Sequence, residues 1–135
     1  MWDKINKQSE ILLNQCLEKK LTITTAESCT GGMIASSIVS ISGSSTIFKS
    51  SVVTYSNDMK SKILNIPLKL INENGAVSKI IAYNMASNVL NLMNADISIA
   101  VTGIAGPSGG SKNKPVGLVY IGIGTKRNTI TKEYL

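Results

Sequence analysis

Apolar residues recur at helical spacing at the beginning of the chain. Between Trp2 and Lys20 the apolar residues at this spacing are Trp2, Ile5, Leu12, Leu13, Cys16 and Leu17. Residues three or four apart share one face of a helix, so this pattern predicts an amphipathic first helix. Lys19 and Lys20 stand where cations favour the C-terminus of a helix.

Runs of β-branched residues predict strands at 21–25, 50–55, 96–102, 116–123 and 129–134. Helices are predicted around 33–39, from the N-cap Ser56 to the residues before Pro67, and from the N-cap Ser78 to about 93. Gly75 marks a turn between the last two helices, and 124–128 turns the chain between the last two strands.

Helices that alternate with apolar strands cover both faces of a sheet. The sequence therefore predicts an α/β fold with three layers, α/β/α, around a mixed, mostly parallel sheet of about five strands. A length of 135 residues suits one domain, 1–135, and no linker or internal repeat divides it.

The charged residues argue against base recognition in DNA. The chain has 14 Lys and Arg against 8 Asp and Glu, a formal net charge of +6, but Arg127 is the sole arginine. Base readout favours bidentate arginine, so we expect no specific nucleic-acid partner. An aromatic content of 4% also argues against a stacking platform for single strands. The positive charge is compatible with an anionic small ligand.

The chain has no histidine, which limits its proton chemistry. Ser-His-Asp and Cys-His triads and His-ligated zinc are excluded. Cys16 and Cys29 are too few for a disulfide scaffold or a four-thiolate zinc site. No apolar run reaches membrane-spanning length, and the first residues lack the apolar core of a signal peptide. The sequence predicts a cytoplasmic protein with reduced thiols and no membrane partner.

Three unusual segments follow predicted strands, and the carboxyl ends of strands are where α/β sheets bind ligands. The segments are AESCTGG at 26–32, TYSND at 54–58 and TGIAGPSGG at 102–110. The first offers hydroxyls and backbone N–H groups at a strand-to-helix turn, although Ser28 or Thr30 also suits a simple N-cap. The third admits close approach of a ligand, with Lys112 and Lys114 nearby for a phosphate, although a flexible loop has the same composition.

A serine nucleophile needs a base, and without histidine the available base is a lysine with a lowered pKa. Lys60 lies one turn into the helix that Ser56 caps, close to Tyr55. Lys62 is an equal candidate for the inward position, and a solvated surface lysine is the simpler interpretation of either.

Five segments together carry a family resemblance. They are TAESCTGG (25–32), GSS (43–45), VTYSND with Lys60 (53–60), GAVS (75–78) and VTGIAGPSGGS with KPVG (101–117). In this order they closely resemble the C-terminal domain of the competence/damage-inducible protein CinA, over about 5–123. Stand-alone versions of that domain include nicotinamide mononucleotide deamidases, which release ammonia and nicotinate mononucleotide in pyridine nucleotide salvage.

The resemblance implies a serine-lysine amidohydrolase without a metal or another cofactor. It assigns Ser45 as the nucleophile, Lys60 as its base and Tyr55 as an aid to proton transfer, with Ser28 as the alternative nucleophile. The substrate-binding residues that it implies are Thr30, Gly31, Gly32, Thr102, Gly103 and Gly106. It also implies a small nucleotide substrate and a homodimer or higher homo-oligomer.

Two departures from the family pattern accompany the resemblance. Relatives carry a GDR-type segment and a final helix after the last strand, whereas this sequence ends at TKEYL, and Arg127 precedes that point. The molybdopterin-biosynthesis-like N-terminal domain of larger relatives is also not expected here. The alternative function is therefore a catalytically impaired nucleotide-binding protein linked to competence or the DNA damage response.

Overall fold

The computed structural model describes residues Met1–Leu135, which form one sheet and five α-helices. The strands are β1 (Ile23–Glu27), β2 (Phe48–Val53), β3 (Ile97–Gly103), β4 (Val119–Thr125) and β5 (Thr129–Tyr134). The helices are α1 (Trp2–Lys19), α2 (Met33–Val39), α3 (Asn57–Leu64), α4 (Leu68–Asn74) and α5 (Lys79–Met93).

The strand order in the sheet is β2-β1-β3-β4-β5. β1 pairs in parallel with β2 and β3, whereas β4 runs antiparallel to both of its neighbours. Four strands therefore share one direction, which confirms the predicted mixed, mostly parallel sheet. The carboxyl ends of β1, β2 and β3 meet at one edge, and the loops that follow these strands meet there too.

Helices cover both faces of the sheet and so complete the three predicted layers. On one face Ala26 and Ala100 of the central strands pack against Met85 and Val89 of α5. Small strand residues let this helix lie close to the sheet, and each large side chain buried there contributes about 1.5–3 kcal/mol. On the other face Ile23 packs with side chains of α1 and α2, which are Leu13, Cys16 and Ile38. No helix is long and apolar enough to cross a membrane.

Several predicted boundaries were wrong by two or three residues. β1 extends to Glu27 and β2 begins at Phe48, so both differ from the predicted 21–25 and 50–55. Glu27 is predicted in the AESCTGG segment after the strand, whereas it is fully buried at the last position of the strand. Helix α4 was missed because Pro67 was interpreted only as a helix end, whereas it also caps the next helix.

Candidate active site

The loops after β1, β2 and β3 enclose a cavity of about 370 Å³ at the carboxyl edge of the sheet. Its walls come from all three segments that the sequence pattern singled out and from the GAVS segment at 75–78. The lining residues are Ser28, Cys29, Tyr55, Lys60, Ala76, Val77, Thr102, Gly103, Ile104, Ala105, Gly106, Ser108 and Gly109.

Lys60 is the one charged side chain of this cavity, and only 1% of it is exposed. Helix α3 positions it, because the Ser56 hydroxyl accepts the Met59 N–H at 3.1 Å and thereby starts the helix before Lys60. Lys62, two residues further, lies on the outer face with 68% of its side chain exposed. Helical geometry thus selects Lys60 rather than Lys62 as the inward lysine.

The Lys60 Nζ atom has three oxygen neighbours. It lies 2.9 Å from Ser28 Oγ, 2.8 Å from the Thr54 carbonyl oxygen and 3.5 Å from the Tyr55 carbonyl oxygen. Burial lowers the pKa of Lys60 from the ordinary value of 10.5, and nearby Cys29 opposes this effect. A neutral amine has two hydrogens and one lone pair. The two carbonyls suit the hydrogens, which leaves the lone pair to accept the Ser28 hydroxyl proton.

Ser28 begins the tight turn that follows β1. Its N–H donates to the Val101 carbonyl at 3.0 Å, and its own carbonyl accepts the Gly31 N–H at 3.0 Å. The N–H groups of Cys29 and Thr30, directly after Ser28, donate to no oxygen of the protein. Both N–H groups face the Cys29 sulfur, which is a weak acceptor, and amides beside a nucleophile are the donors that stabilise an oxyanion. Burial raises the pKa of the Cys29 thiol, which does not favour a thiolate nucleophile there.

The structure does not bring Ser45 to Lys60. Ser45 is exposed in a single 3₁₀ turn, Ser44–Thr46, that precedes β2, whereas Lys60 follows the same strand. A six-residue strand separates its two ends by about 20 Å. This geometry corrects the predicted pairing, and the serine that contacts Lys60 is the alternative, Ser28.

Tyr55 lies at the mouth of the cavity with 74% of the residue exposed. Its carbonyl oxygen faces Lys60 at 3.5 Å, and its phenol makes no hydrogen bond within the protein. The role of the phenol in proton transfer therefore stays a prediction.

The Thr30–Gly32 turn serves mainly to hold the end of β1. Thr30 Oγ1 donates to Glu27 Oε1 at 2.7 Å, and Gly32 starts α2 with a φ of +101°. The side chain of Thr30 and the two glycines do not line the cavity. Glu27 itself was missed by the sequence analysis. The available signal was a carboxylate between a β-branched strand and a glycine turn.

The other three predicted binding residues line the cavity. Thr102 is buried, and its hydroxyl donates to the Ala76 carbonyl at 2.9 Å, which ties the GAVS segment to β3. A Cβ at Gly103 would lie 2.9 Å from the Leu118 carbonyl oxygen and 3.1 Å from Cys29 Sγ, so this wall admits only glycine. Gly106 has a φ of +80°, a backbone conformation that favours glycine.

The two lysines of the third loop do not face the cavity. Lys114 Nζ instead donates to the Asn74 carbonyl at 2.7 Å, and Lys112 is exposed. No group of three or more His, Cys, Asp or Glu side chains is placed to hold a metal ion.

Residues 5–135 match the family model of the CinA C-terminal domain. The chain belongs to this family. A CinA-like protein from Prochlorococcus marinus strain MIT 9515 is 51% identical over 123 residues, which are 91% of this chain and 28% of that protein. A CinA-like protein from Dictyoglomus turgidum is 46% identical over 124 residues, which are 92% of this chain and 30% of that protein. This CinA C-terminal domain thus spans less than a third of the length of these curated relatives.

Solved structures of the CinA superfamily share the fold. The competence/damage inducible protein from Agrobacterium tumefaciens superposes with a TM-score of 0.93 at 38% identity, over 96% of this chain and 79% of that chain. The competence damage-inducible protein A from Klebsiella pneumoniae gives a TM-score of 0.93 at 32% identity, over 96% of this chain and 81% of that chain. The CinA domain fold and the family resemblance are therefore confirmed.

Proposed function

We propose that this protein is an amidohydrolase that converts nicotinamide mononucleotide and water into nicotinate mononucleotide and ammonia, in pyridine nucleotide salvage. The observation that carries the proposal is the 2.9 Å contact between the buried Lys60 amine and Ser28 Oγ in the cavity. The family resemblance supplies the substrate. The nucleophile is Ser28 rather than Ser45, because only Ser28 is within reach of a base.

In the first half of the reaction Ser28 Oγ attacks the carboxamide carbon, and neutral Lys60 takes the hydroxyl proton. The carbonyl oxygen of the substrate becomes a tetrahedral oxyanion, which the N–H groups of Cys29 and Thr30 stabilise in place of their contact with the Cys29 sulfur. The Lys60 ammonium then gives its proton to the amide nitrogen. The C–N bond breaks, ammonia leaves, and an ester with Ser28 remains.

In the second half water takes the place that ammonia has left. Lys60, again neutral, removes a proton from the water as its oxygen attacks the ester carbon. Collapse of the second tetrahedral intermediate returns the proton to Ser28 Oγ and releases the carboxylic acid. Each cycle consumes one water and regenerates both side chains.

The test is ammonia and nicotinate mononucleotide formation by the purified chain, with matched variants alongside. Lys60→Met is expected to abolish turnover, and Lys62→Met, two residues away on the exposed face of α3, is expected to retain it. An active Lys60→Met variant with an intact circular dichroism spectrum would sink the serine-lysine mechanism.

A second candidate function is nucleotide binding without turnover. One observation favours this candidate over turnover: Lys60 is the single cation among the lining residues. A substrate phosphate in the cavity would have Lys60 as its only ion-pair partner, and a lysine paired in this way would not serve as a base. Under this proposal nicotinamide mononucleotide raises the melting temperature but releases no ammonia. Turnover by the wild type would reject this candidate, and the absence of both effects would reject the nucleotide as ligand.

We also propose a homodimer or higher homo-oligomer, which rests on the family resemblance. Light scattering coupled to size-exclusion chromatography tests it, and a mass of 14.4 kDa at working concentration would identify a monomer instead.

A further inference from the structure

We propose that Glu27 is a positioning residue that holds Ser28 against Lys60, an inference that rests on the proposed serine-lysine amidohydrolase. Glu27 is fully buried at the last position of β1, directly before Ser28. It touches neither the cavity nor Lys60 with its side chain, so its contribution acts through the turn that carries Ser28.

The side chain of Glu27 connects β1 to the start of α2. Oε1 accepts the Thr30 hydroxyl at 2.7 Å and the Ile34 N–H at 2.9 Å, and Oε2 accepts the Ala35 N–H at 2.9 Å. These hydrogen bonds join the two ends of the turn at 28–32, because Glu27 precedes the turn and the amides of α2 follow it. They also occupy the first amides of α2, so these amides are not available to an anionic ligand.

The main chain of Glu27 connects the same turn to the base. Its carbonyl accepts the Thr54 N–H at 2.9 Å, and the Thr54 carbonyl in turn accepts a hydrogen from Lys60 Nζ at 2.8 Å. Lys60 Nζ contacts Ser28 Oγ, which is covalently next to Glu27. A closed ring of contacts therefore passes through Glu27, Ser28, Lys60 and Thr54, and Glu27 is the member whose side chain is anchored outside the ring.

The chemistry of these contacts requires a carboxylate. Thr30, Ile34 and Ala35 all supply hydrogens, and a carboxylate is acceptor-only on both oxygens. A glutamine has one acceptor oxygen and one NH₂ group. Its NH₂ group would therefore lie opposite a hydrogen-bond donor of the protein, and the hydrogen bond at that position would be lost. Glu27→Gln keeps the size of the side chain but removes the hydrogen bonds of one of the two carboxylate oxygens.

A matched control exists at the opposite edge of the sheet. Asp96 also accepts a backbone N–H and a threonine hydroxyl, both from Thr22, at 2.9 and 3.0 Å. Asp96→Asn makes the same carboxylate-to-amide change far from Ser28: its remaining oxygen can still accept both Thr22 groups, which share Oδ2, but its NH₂ group then faces Lys126. A purely structural role of Glu27 predicts that the two variants behave alike once each is measured well below its own melting temperature.

The experiment measures the reactivity of Ser28 directly, in addition to turnover of nicotinamide mononucleotide. The probe is phenylmethanesulfonyl fluoride. Ser28 Oγ attacks its sulfur, the O–S bond forms, the S–F bond breaks with loss of fluoride, and the hydroxyl proton passes to Lys60. Mass spectrometry locates the adduct and gives the labelling rate for the wild type, Glu27→Gln, Asp96→Asn and Thr30→Val.

We expect Glu27→Gln to lower the labelling rate and kcat about 10- to 100-fold with KM nearly unchanged, because a small displacement of a reacting atom has effects of this size. Thr30→Val removes one of the donors to Glu27 and is expected to lower both rates about 3- to 10-fold. It provides the same test if Glu27→Gln fails to fold. Asp96→Asn is expected to label at the wild-type rate.

Wild-type rates in Glu27→Gln, or equal losses in Glu27→Gln and Asp96→Asn, would overturn the proposal. An unlabelled Ser28 in the wild type would also overturn it, together with the serine-lysine mechanism. Labelling of the wild type without hydrolysis of nicotinamide mononucleotide would reject only the proposed substrate, and the role of Glu27 would still be decided by the labelling rates.

Discussion

The two ends of the parallel strands use similar side chains for different purposes. At the amino end Asp96 bonds to Thr22, and exposed Lys126 lies 3.0 Å from its carboxylate. At the carboxyl end Glu27 bonds to Thr30 and to the α2 amides, and the lysine there, Lys60, is buried with neutral oxygens as hydrogen-bond partners. The amino end holds an ion pair, and the carboxyl end holds the buried lysine and serine of the proposed active site.

The difference lies in what each lysine contacts. Hydrogen bonds from Thr22 and Lys126 hold the pKa of Asp96 below its usual range, which favours the charged carboxylate. Burial lowers the pKa of Lys60, and the carbonyl of Thr54 and the hydroxyl of Ser28 do not compensate as a carboxylate would. Burial without a counter-ion favours the neutral form of Lys60, which is the form that the proposed mechanism requires.

The largest expected effect distinguishes Ser28, which follows β1, from Ser45, which precedes β2. Ser28→Ala removes the nucleophile and should lower kcat by about 10³-fold or more. Ser45→Ala changes an exposed hydroxyl before β2 and should leave kcat unchanged. Ammonia release by both variants measures this, and a reversed result would restore Ser45 as the nucleophile.

The second prediction concerns the base. Lys60→Met should lower kcat by about 10²- to 10⁴-fold, because that is the usual contribution of a positioned base. For the wild type we expect kcat/KM to rise with pH as Lys60 loses its proton, below the ordinary lysine value of 10.5. A rate that does not depend on pH up to 10.5 would contradict a lysine base.

Lys60→Met is expected to lower the activity but to raise the free energy of unfolding. The pKa of Lys60 is lower in the folded than in the unfolded chain, so the unfolded chain binds more protons between the folded value and 10.5. The stability of the wild type therefore rises with pH in that window. Lys60→Met should be more stable than the wild type at pH 7, and the difference should shrink towards pH 10.5. Urea unfolding at several pH values measures it.

A smaller effect is expected at the amino end. Asp96→Asn should reduce the free energy of unfolding by about 1–2 kcal/mol, because the Thr22 hydrogen bonds lose their charged acceptor and Lys126 loses its carboxylate partner. The pKa of Asp96 is lowered in the folded state, so its stabilisation is present above the ordinary value of 3.8 and disappears as pH falls through the lower folded value. Thermal melts of both proteins should converge in acid, and a constant difference would contradict this assignment.

The smallest effect is expected for the exposed partner of Asp96. Lys126 has 67% of its side chain exposed, and ion pairs of this kind contribute about 0–1 kcal/mol. Lys126→Met should change the free energy of unfolding within that range, and the change should decrease at high salt. A larger loss would mean that the ion pair, rather than the Thr22 hydrogen bonds, anchors this end.

The fold was predictable because its signals are local. The helical spacing of apolar residues predicted α1, and the hydroxyl caps Ser56 and Ser78 correctly located the starts of α3 and α5. Glu27 escaped because two of its partners are backbone amides seven and eight residues further along, which no sequence pattern displays. Ser45 was misplaced relative to Lys60 because a GSS segment does not reveal at which end of a strand it lies.

The sequence by itself determined the α/β class, the absence of histidine chemistry, the segments that carry the candidate site and the family to which the chain belongs. Only the tertiary structure decided that Lys60 rather than Lys62 faces inward, that Ser28 is its partner, and that Glu27 holds the turn between them. The reason is physical. Periodicity and capping act between residues a few positions apart, whereas Ser28 and Lys60 are 32 positions apart and meet only when β1 and β2 pair.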